Sequence, residues 1–153
     1  MDKHSRPVTI LMADDDPDDR ELTREAFVES KLANDLRFVE DGEELLDYLH
    51  RRGKYVDPAT SPRPGIILLD LNMPKKDGRE ALRELKADLR FRRIRVIIMT
   101  TSKAEEDILR AYDLSAASYI TKPVTFEGLI DVIKTLGKYW LEIVELPDNG
   151  DHA

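Results

Sequence analysis

Short apolar runs that end abruptly in polar residues recur along the chain. Residues 66–69 are all isoleucine or leucine, and Asp70 follows them. Residues 10–13 run into three consecutive aspartates, and the apolar residues 96–99 are followed by Thr100. Uninterrupted apolar runs of this length are typical of strands that are buried on both faces, as in parallel sheets covered by helices. The pattern therefore predicts a parallel α/β sheet.

Segments with helical spacing of their apolar residues lie between these runs. The strands are predicted at residues 8–13, 35–39, 66–70, 96–99 and 118–121, and the helices at 17–31, 43–52, 78–89, 104–114 and 126–136. Asp16 can cap the first helix with Pro17 as its first residue, and Gly53 is expected to end the second helix. The last helix can continue through Trp140. This alternation of strand and helix favours a doubly wound sheet with right-handed crossovers.

One domain accounts for the chain as far as residue 138. The ten predicted elements all lie within residues 8–138, and neither a second domain nor an output domain is predicted. A hydrophobic extension follows at residues 139–153, and it contains Tyr139, Trp140, Leu141, Ile143 and Val144. Leaving aliphatic side chains of this kind in water would forgo about 1.5–3 kcal/mol each. We therefore expect the extension and the last helix to form a homodimer interface, with folding of the extension onto its own sheet as the alternative.

Composition excludes several classes of protein. The net charge of −7 argues against a nucleic-acid partner, and the absence of cysteine excludes disulfides and thiolate sites. No apolar run approaches the ~18 residues of a membrane span. Because Met1–Pro7 is too short and polar for a signal peptide, the cytoplasm is the expected location. His4, His50 and His152 share no spacing with other ligands and are expected to be solvated surface residues.

Polar side chains follow four of the predicted strands. Asp14, Asp15 and Asp16 follow the first strand, Asp70 ends the third, Thr100 follows the fourth, and Lys122 follows the fifth. The carboxyl ends of parallel strands meet at one edge of the sheet, which is where ligands bind in open α/β folds. Acids, a hydroxyl and an ammonium group are therefore expected to converge there on a reaction site.

These residues resemble the receiver domain of bacterial two-component response regulators. The markers of that family are Asp14 and Asp15 after the first strand, the run Asp70–Pro74, Gly78 at the start of the next helix, Thr100, and the pair Lys122-Pro123. The resemblance extends over about residues 8–138. It implies a flavodoxin-like (βα)5 fold with a five-stranded sheet in the order 2-1-3-4-5, in which Pro74, Gly78 and Pro123 shape the site.

A closer resemblance is to the small regulators that are paired with bacterial and cyanobacterial phytochromes. It rests on Thr100-Thr101-Ser102, Tyr112-Asp113-Leu114, residues 119–122 and residues 139–141. This resemblance implies that the phosphoryl donor is a histidine kinase of the bacteriophytochrome type. The partner that receives the signal downstream is not indicated.

The family resemblance implies phosphoryl transfer to Asp70, which would form an aspartyl phosphate. Three clustered carboxylates repel one another unless a cation shares them, and Mg²⁺ suits such oxygen ligands, with Mn²⁺ as a substitute. The expected direct ligands are Asp15, Asp70 and the backbone carbonyl of Asn72, with Asp14 acting through water. Lys122 and Thr100 are expected to bind phosphoryl oxygens.

A conformational switch is also implied by the resemblance. Thr100 would move toward the phosphoryl group, and Tyr119 would pack into the space that it leaves. This movement would alter the surface formed by residues 104–114, 118–121 and 126–136.

Alternative functions remain open at this stage. A calcium loop over Asp14, Asp16, Asp18 and Glu25 is disfavoured because it lacks the central glycine and is interrupted by Pro17. A phosphohydrolase would carry a second acid where Asn72 stands. An interaction adaptor that works without phosphate is the main alternative. We expect a phosphoacceptor that phosphorylates and dephosphorylates itself, rather than an enzyme.

Overall fold

A computed structural model describes residues 9–32, 34–71, 73, 75, 78–100, 118–121, 123 and 125–137. For Thr100, Ser118, Tyr119 and Thr121 it describes the backbone and not the side chains. The helix predicted over residues 104–114 and the extension at 139–153 lie outside the described residues.

Five parallel strands form one sheet. They are β1 (Ile10–Ala13), β2 (Leu36–Val39), β3 (Ile66–Asp70), β4 (Arg95–Thr100) and β5 (Ser118–Thr121). Their spatial order is β2-β1-β3-β4-β5. Every neighbouring pair is parallel, with Ala13 opposite both Val39 and Leu69, and Asp70 opposite Met99. The doubly wound, flavodoxin-like sheet that the sequence predicts is therefore confirmed.

Helices cover both faces of the sheet. They are α1 (Pro17–Glu29), α2 (Gly42–His50), α3 (Gly78–Ala87) and α4 (Phe126–Leu136). Helix α1 packs beside α4, and α2 packs beside α3. Short 3-10 turns at Gly53–Tyr55 and Pro58–Thr60 lie in the proline-containing loop before β3.

Alternate residues of the strands divide the core into two layers. Ile10, Met12, Ile66 and Leu68 pack with α1 and α4, where Ala26, Phe27, Leu129 and Ile133 are buried. The intervening residues Leu11, Ala13, Ile67 and Leu69 pack with α2 and α3, together with Leu45, Leu49, Leu82 and Leu85. Because successive strand residues point to opposite faces, only a continuous apolar run can supply both layers. The runs in the sequence are thus explained by burial on both sides.

Helices α1 and α2 each begin with an aspartate cap. Asp16 caps α1 by accepting a hydrogen bond from the Asp18 amide at 2.9 Å, and Pro17 is the first helical residue, as predicted. Asp41 caps α2 by accepting from the Glu44 amide at 2.7 Å. Each cap satisfies a backbone donor that has no partner within its helix.

The expected end of α2 at Gly53 is wrong. Arg51 takes the left-handed conformation, with φ of 57°, and the Arg52 amide donates to the Asp47 carbonyl at 2.9 Å. The Arg51 guanidinium donates to the Ser61 carbonyl through Nε at 3.4 Å and Nη2 at 3.2 Å. This side-chain anchor offsets the cost of a left-handed non-glycine residue. Gly53, with φ of 59°, instead begins the following 3-10 turn.

None of the helices in the described ranges is both long enough and apolar enough to cross a membrane.

Candidate metal and phosphoryl site

Three aspartates meet at the carboxyl edge of the sheet. Asp14 and Asp15 follow β1, and Asp70 ends β3, which is the neighbour of β1. One carboxylate oxygen from each of the three residues lies within 4.8 Å of the others. Asp14 is completely buried, Asp70 is 8% exposed, and Asp15 is exposed. The sequence markers at two strand ends are thus brought together.

The donor set of this acidic triad, Asp14, Asp15 and Asp70, fits a hard divalent cation. Each residue offers carboxylate oxygen, and the triad opens to solvent on the side of Asp15. Mg²⁺ and Mn²⁺ prefer such ligands and commonly retain waters at the remaining positions. Carboxylates this close to one another repel, and a shared cation lowers that repulsion. The triad therefore offers ligands that suit a divalent cation.

A calcium loop is not formed by the residues that could have supplied one. Asp16 is used as the cap of α1, whereas Asp18 and Glu25 lie within that helix. Among the described residues, these three do not join the triad. The helix that begins at Pro17 therefore excludes this alternative.

Arg20 fixes the backbone next to the triad. Its Nη1 donates to the Asp14 carbonyl at 2.8 Å, and its Nη2 lies 3.9 Å from Oε2 of Glu40. The Asp14 amide donates to the Val39 carbonyl at 3.0 Å, and Asp14 Oδ1 accepts from the Asp16 amide at 2.9 Å. Asp14 is thereby held by β2, by its own turn and by the first helix. Sequence reasoning does not single out this arginine, because six residues separate it from Asp14.

Replacing Arg20 should weaken divalent-metal binding. In an Arg20→Gln variant the Asp14 carbonyl loses a charged donor, a bond that contributes about 1 kcal/mol or more. We expect the Mn²⁺ dissociation constant, measured by paramagnetic resonance titration, to rise about fivefold. Arg24→Gln on the same helix is the matched control, since Arg24 contacts Phe38 and Glu21 and not the triad. Equal Mn²⁺ affinity in the two variants would contradict this role.

Gly78 allows the backbone of α3 to approach Asp70. The Gly78 amide donates to the Leu71 carbonyl at 2.9 Å. A Cβ at position 78 would lie 2.6 Å from the Asp70 carbonyl oxygen and 2.8 Å from Leu71 Cα. These neighbours are backbone atoms and cannot swing aside. The requirement for glycine here is therefore close approach to the strand end that carries Asp70.

The other predicted site residues are described only in part. Thr100 ends β4 and is paired with Thr121, and Tyr119 lies in β5 opposite Ile98, so the backbones of both are placed. Pro123 is half-buried beside a cavity of about 140 Å³ between α1 and α4. Asn72, Pro74 and Lys122 lie outside the described residues, as do the predicted dimer residues Tyr139, Trp140, Leu141, Ile143 and Val144.

A groove of about 440 Å³ adjoins the site on the side of β2 and α2. Lys75, in the loop between Asp70 and α3, has φ of 65° and places its Nζ 3.9 Å from Asp41 Oδ2 in this groove. Glu44 accepts hydrogen bonds there from the Tyr55 hydroxyl and from the Glu40 amide, and Lys54 Nζ lies 3.0 Å from its Oε2. Sequence reasoning missed the Lys75–Asp41 contact and the group around Glu44, since the partners lie far apart along the chain.

The surroundings of Glu44 lower its pKa below the ordinary value of 4.5. Burial raises the pKa, but the hydrogen bonds from Tyr55, the Glu40 amide and Lys54, with the charge of Lys54, outweigh burial. A lowered pKa in the folded state means that ionised Glu44 stabilises the fold above the unfolded pKa. This contribution is lost as the pH falls through the folded pKa.

Removing the Tyr55 hydroxyl should therefore have an effect that depends on pH. We expect Tyr55→Phe to lower the free energy of unfolding by about 1 kcal/mol at pH 7, because a hydrogen bond to a charged group is lost. The difference from the wild type should shrink as the pH falls below 4.5 and through the lowered pKa of folded Glu44, where its carboxylate becomes protonated. Urea unfolding at pH 7 and at about pH 3 measures this difference, with Tyr48→Phe as a control whose hydroxyl bonds the Pro62 carbonyl. A Tyr55→Phe loss that is equal at both pH values would show that Glu44 is not involved.

The sequence predicts that His50 is a solvated surface residue, but the structure places it in contact with other side chains. Its ring packs edge-on against Phe91, with centroids 5.1 Å apart, and its Nδ1 lies 3.1 Å from Nη2 of Arg90. Burial, followed by the charges of Arg52 and Arg90, lowers the pKa of His50. His4 and His152 lie outside the described residues.

Known proteins are similar to this chain in sequence and in fold. The response regulator receiver domain model matches residues 10–134. Response regulator Rcp1 of Synechocystis sp. is 38% identical over 146 residues, which cover 95% of this chain and 97% of the relative. A crystal structure of its Mn²⁺-bound form covers 89% of this chain and 96% of that one, with a TM-score of 0.77.

Two further solved structures are similar over nearly the same span. The phosphorylated cyanobacterial phytochrome response regulator RcpA is 39% identical with a TM-score of 0.79, covering 90% of this chain and 96% of that one. Response regulator RPA3017, from red light signalling of R. palustris, is 37% identical with a TM-score of 0.81. The match covers 88% of this chain and 94% of that one. These matches confirm the predicted family and the predicted similarity to phytochrome-associated response regulators.

The family determines the general chemistry of the site. Receiver domains take phosphoryl groups from histidine kinases, bind a divalent metal at the acidic pocket and are not enzymes in the ordinary sense. An extensive match over residues 10–134, together with the parallel sheet and the acidic triad, leads to one assignment. The chain belongs to the response regulator receiver domain family.

Proposed function

We propose that this protein is a signalling module that accepts a phosphoryl group on Asp70 from the phosphohistidine of a sensor kinase. The observation that carries the proposal is the acidic triad, in which Asp70 ends the central strand within 4.8 Å of Asp14 and Asp15. Asp70 is slightly exposed and Asp14 is not. Of the two buried acids, Asp70 is therefore the one that an incoming phosphoryl group can reach.

The proposed reaction exchanges one bond to phosphorus for another. A carboxylate oxygen of Asp70 attacks the phosphorus, and the bond from phosphorus to the kinase histidine breaks. The histidine nitrogen leaves with the electron pair and is protonated by solvent. Water later attacks the aspartyl phosphate, which restores the carboxylate and releases inorganic phosphate.

A bound divalent ion supplies positive charge that offsets the carboxylates and the phosphoryl oxygens. In the proposal, Asp15, Asp70 and the Asn72 carbonyl would hold Mg²⁺ directly, and Asp14 would hold it through water. Lys122 and Thr100 bind the phosphoryl oxygens, and movement of Thr100 and Tyr119 transmits the change to the neighbouring surface. Support for these roles comes from the family motif at these positions and from the convergence of the strand ends.

We further propose that the kinase is a bacteriophytochrome. The support is the similarity to RcpA and to RPA3017, which are associated with phytochrome and with red light signalling. Transfer of radiolabelled phosphate from an autophosphorylated bacteriophytochrome to the wild-type chain, and not to Asp70→Asn, is the expected result. Transfer from an unrelated histidine kinase at an equal rate would refute the pairing and leave the receiver chemistry intact.

We also propose a homodimer that uses α4 and the extension at 139–153. The support is the apolar character of Tyr139, Trp140, Leu141, Ile143 and Val144, which follow the last element of the sheet. Four or more such side chains can contribute on the order of 6 kcal/mol to association. Sedimentation at tens of micromolar should give twice the monomer mass, and Trp140→Ser should shift the protein toward the monomer. A monomeric wild type under these conditions would contradict the proposal.

A further inference from the structure

A cluster of arginines lies at the amino edge of the sheet, opposite the acidic triad. It consists of Arg51 after α2, Arg63 before β3 and Arg90 before β4, and we call it the arginine cluster. Arg92 and Arg93 follow in the same segment. Since the whole chain carries a net charge of −7, a concentration of cations at one edge implies a strongly uneven charge distribution.

Phe91 organises the cluster. The Cζ atoms of Arg63 and Arg90 lie 5.0 Å and 4.9 Å from the centroid of this buried ring. Two Arg90 nitrogens bind Asp88, with Nη2 at 2.8 Å from Oδ2 and Nε at 3.1 Å from Oδ1. Stacking on an aromatic face holds a guanidinium in a fixed plane while its donors stay accessible. Contacts with Phe91 and Asp88 therefore hold side chains of the arginine cluster in defined positions.

Arg51 and Arg63 are the members whose charge is not matched by an ion pair. In the part of the chain that the structure describes, neither guanidinium lies in a salt bridge with a carboxylate, whereas Arg90 is paired with Asp88. Burial lowers the pKa of Arg63, and the positive charges of Arg51 and Arg90 lower it further. A carboxylate brought to Arg63 would relieve this repulsion. The chemistry that suits the cluster is an acidic peptide segment.

The sequence after α4 contains such a segment. Residues 145–153 carry Glu145, Asp148 and Asp151 and no lysine or arginine. These acids are distinct from the apolar residues at 139–144 that we assign to the dimer.

The length of chain after α4 suffices to reach the cluster. Helix α4 ends at Leu136, and a Cβ on Gly137 would lie 3.0 Å from Leu32 Cδ2, beyond the end of α1. Helices that return from the carboxyl edge end at the amino edge, which is the edge of the arginine cluster. Asp148 is eleven residues beyond Gly137, and an extended chain of that length spans about 36 Å. A domain of this size has a radius of gyration of only about 15 Å.

We propose that the acidic segment 145–151 docks on the arginine cluster of the same chain. Covalent connection makes this contact intramolecular, with an effective concentration in the millimolar range for short flexible links. Docking would lay the extension along the amino edge and determine where the apolar residues 139–144 are presented. The contact does not depend on phosphorylation of Asp70.

A single spin label tests this docking. The chain has no cysteine, so Gly150→Cys provides the only attachment point for a nitroxide. In the ¹⁵N-labelled full chain, the amide signals of Gly65 and Arg95 at the amino edge should lose more than half their intensity. Those of Asp41 and Glu44 at the carboxyl edge should not change.

Charge variants test whether the acidic segment and the arginine cluster attract each other. A mixture of spin-labelled and ¹⁵N-labelled chains tests whether the contact lies within one chain. Joint Glu145→Gln, Asp148→Asn and Asp151→Asn replacement, or Arg63→Gln alone, should restore the signals, whereas Arg83→Gln on the exposed side of α3 should not. When the spin label is on an unlabelled chain mixed with ¹⁵N chain, the signals should stay intact. The proposal is overturned if the amino edge is unaffected, if the charge variants change nothing, or if the mixed sample shows the same broadening, which would place the contact between chains.

Discussion

Asp70→Asn should be more stable than the wild type in buffer without divalent metal. Two unit charges 4.8 Å apart repel by about 3 kcal/mol at the effective dielectric constant of ~20 that suits protein sites. Asp70 faces two such neighbours in Asp14 and Asp15, and Asp14 is completely buried. Solvent around the exposed Asp15, and the loss of the hydrogen bonds and charge attraction that Asp70 makes in the fold, reduce the gain. We expect the free energy of unfolding to rise by about 1–2 kcal/mol.

Adding Mg²⁺ should make the wild type more stable than Asp70→Asn, which reverses their order of stability in metal-free buffer. An ion that binds only the folded state at one hundred times its dissociation constant adds about 2.7 kcal/mol to stability. The wild type should gain most of this when Mg²⁺ is added, whereas Asp70→Asn, which lacks one of the three carboxylates, should gain much less. Urea unfolding of each protein with EDTA and with Mg²⁺ measures the free energy of unfolding without and with the metal.

Glu25→Gln on the exposed side of α1 is the control for the loss of one negative charge. It should leave both the metal-free stability and the Mg²⁺ effect close to the wild-type values. An Asp70→Asn variant that is less stable than the wild type in EDTA would show that repulsion does not dominate this cluster.

Gly78→Ala should damage both the fold and the metal site. The added Cβ would lie 2.6 Å from the Asp70 carbonyl oxygen and 2.8 Å from Leu71 Cα, so α3 or the end of β3 must move. Overpacking of this kind costs about 1–3 kcal/mol and occasionally more. We expect a loss of about 3 kcal/mol in urea unfolding. Displacement of Asp70 should also weaken Mn²⁺ binding about tenfold, as changes to residues that support metal ligands do.

Gly137→Ala separates close approach from the general effect of replacing glycine. Among the described residues, the three atoms nearest to its added Cβ all belong to the side chain of Leu32, which can rotate. Stability should change by less than about 1 kcal/mol, and Mn²⁺ binding should not change. If Gly78→Ala binds Mn²⁺ as tightly as Gly137→Ala, the proposed coupling between α3 and Asp70 is wrong.

The sequence predicted the fold well because burial on both faces leaves a strong pattern. The continuous apolar runs at β1 and β3 identify strands of a covered parallel sheet, and the polar residues that follow them mark its ligand-binding edge. Asp16 and Pro17 similarly predicted the start of α1 through local chemistry. In each case the determining interactions lie within a few residues of the signal.

Features that depend on distant partners could not be predicted in this way. Arg51, rather than Gly53, ends α2 because its side chain reaches the Ser61 carbonyl. His50 packs on Phe91, 41 residues further along the chain, and Arg20 supports Asp14 from the next helix. The sequence identifies Gly78 as a family marker, but the close approach that requires glycine is visible only in three dimensions.

The intact mass of the protein after incubation with Mg²⁺ and acetyl phosphate tests phosphorylation of Asp70 most directly. The wild type should gain one phosphoryl group, EDTA should prevent the gain, and Asp70→Asn should gain none. A stable beryllofluoride complex, which mimics the phosphoryl group, should form only with the wild type and guards against loss by rapid hydrolysis. A wild type that neither gains mass nor binds beryllofluoride would contradict the account and favour an adaptor that works without phosphate.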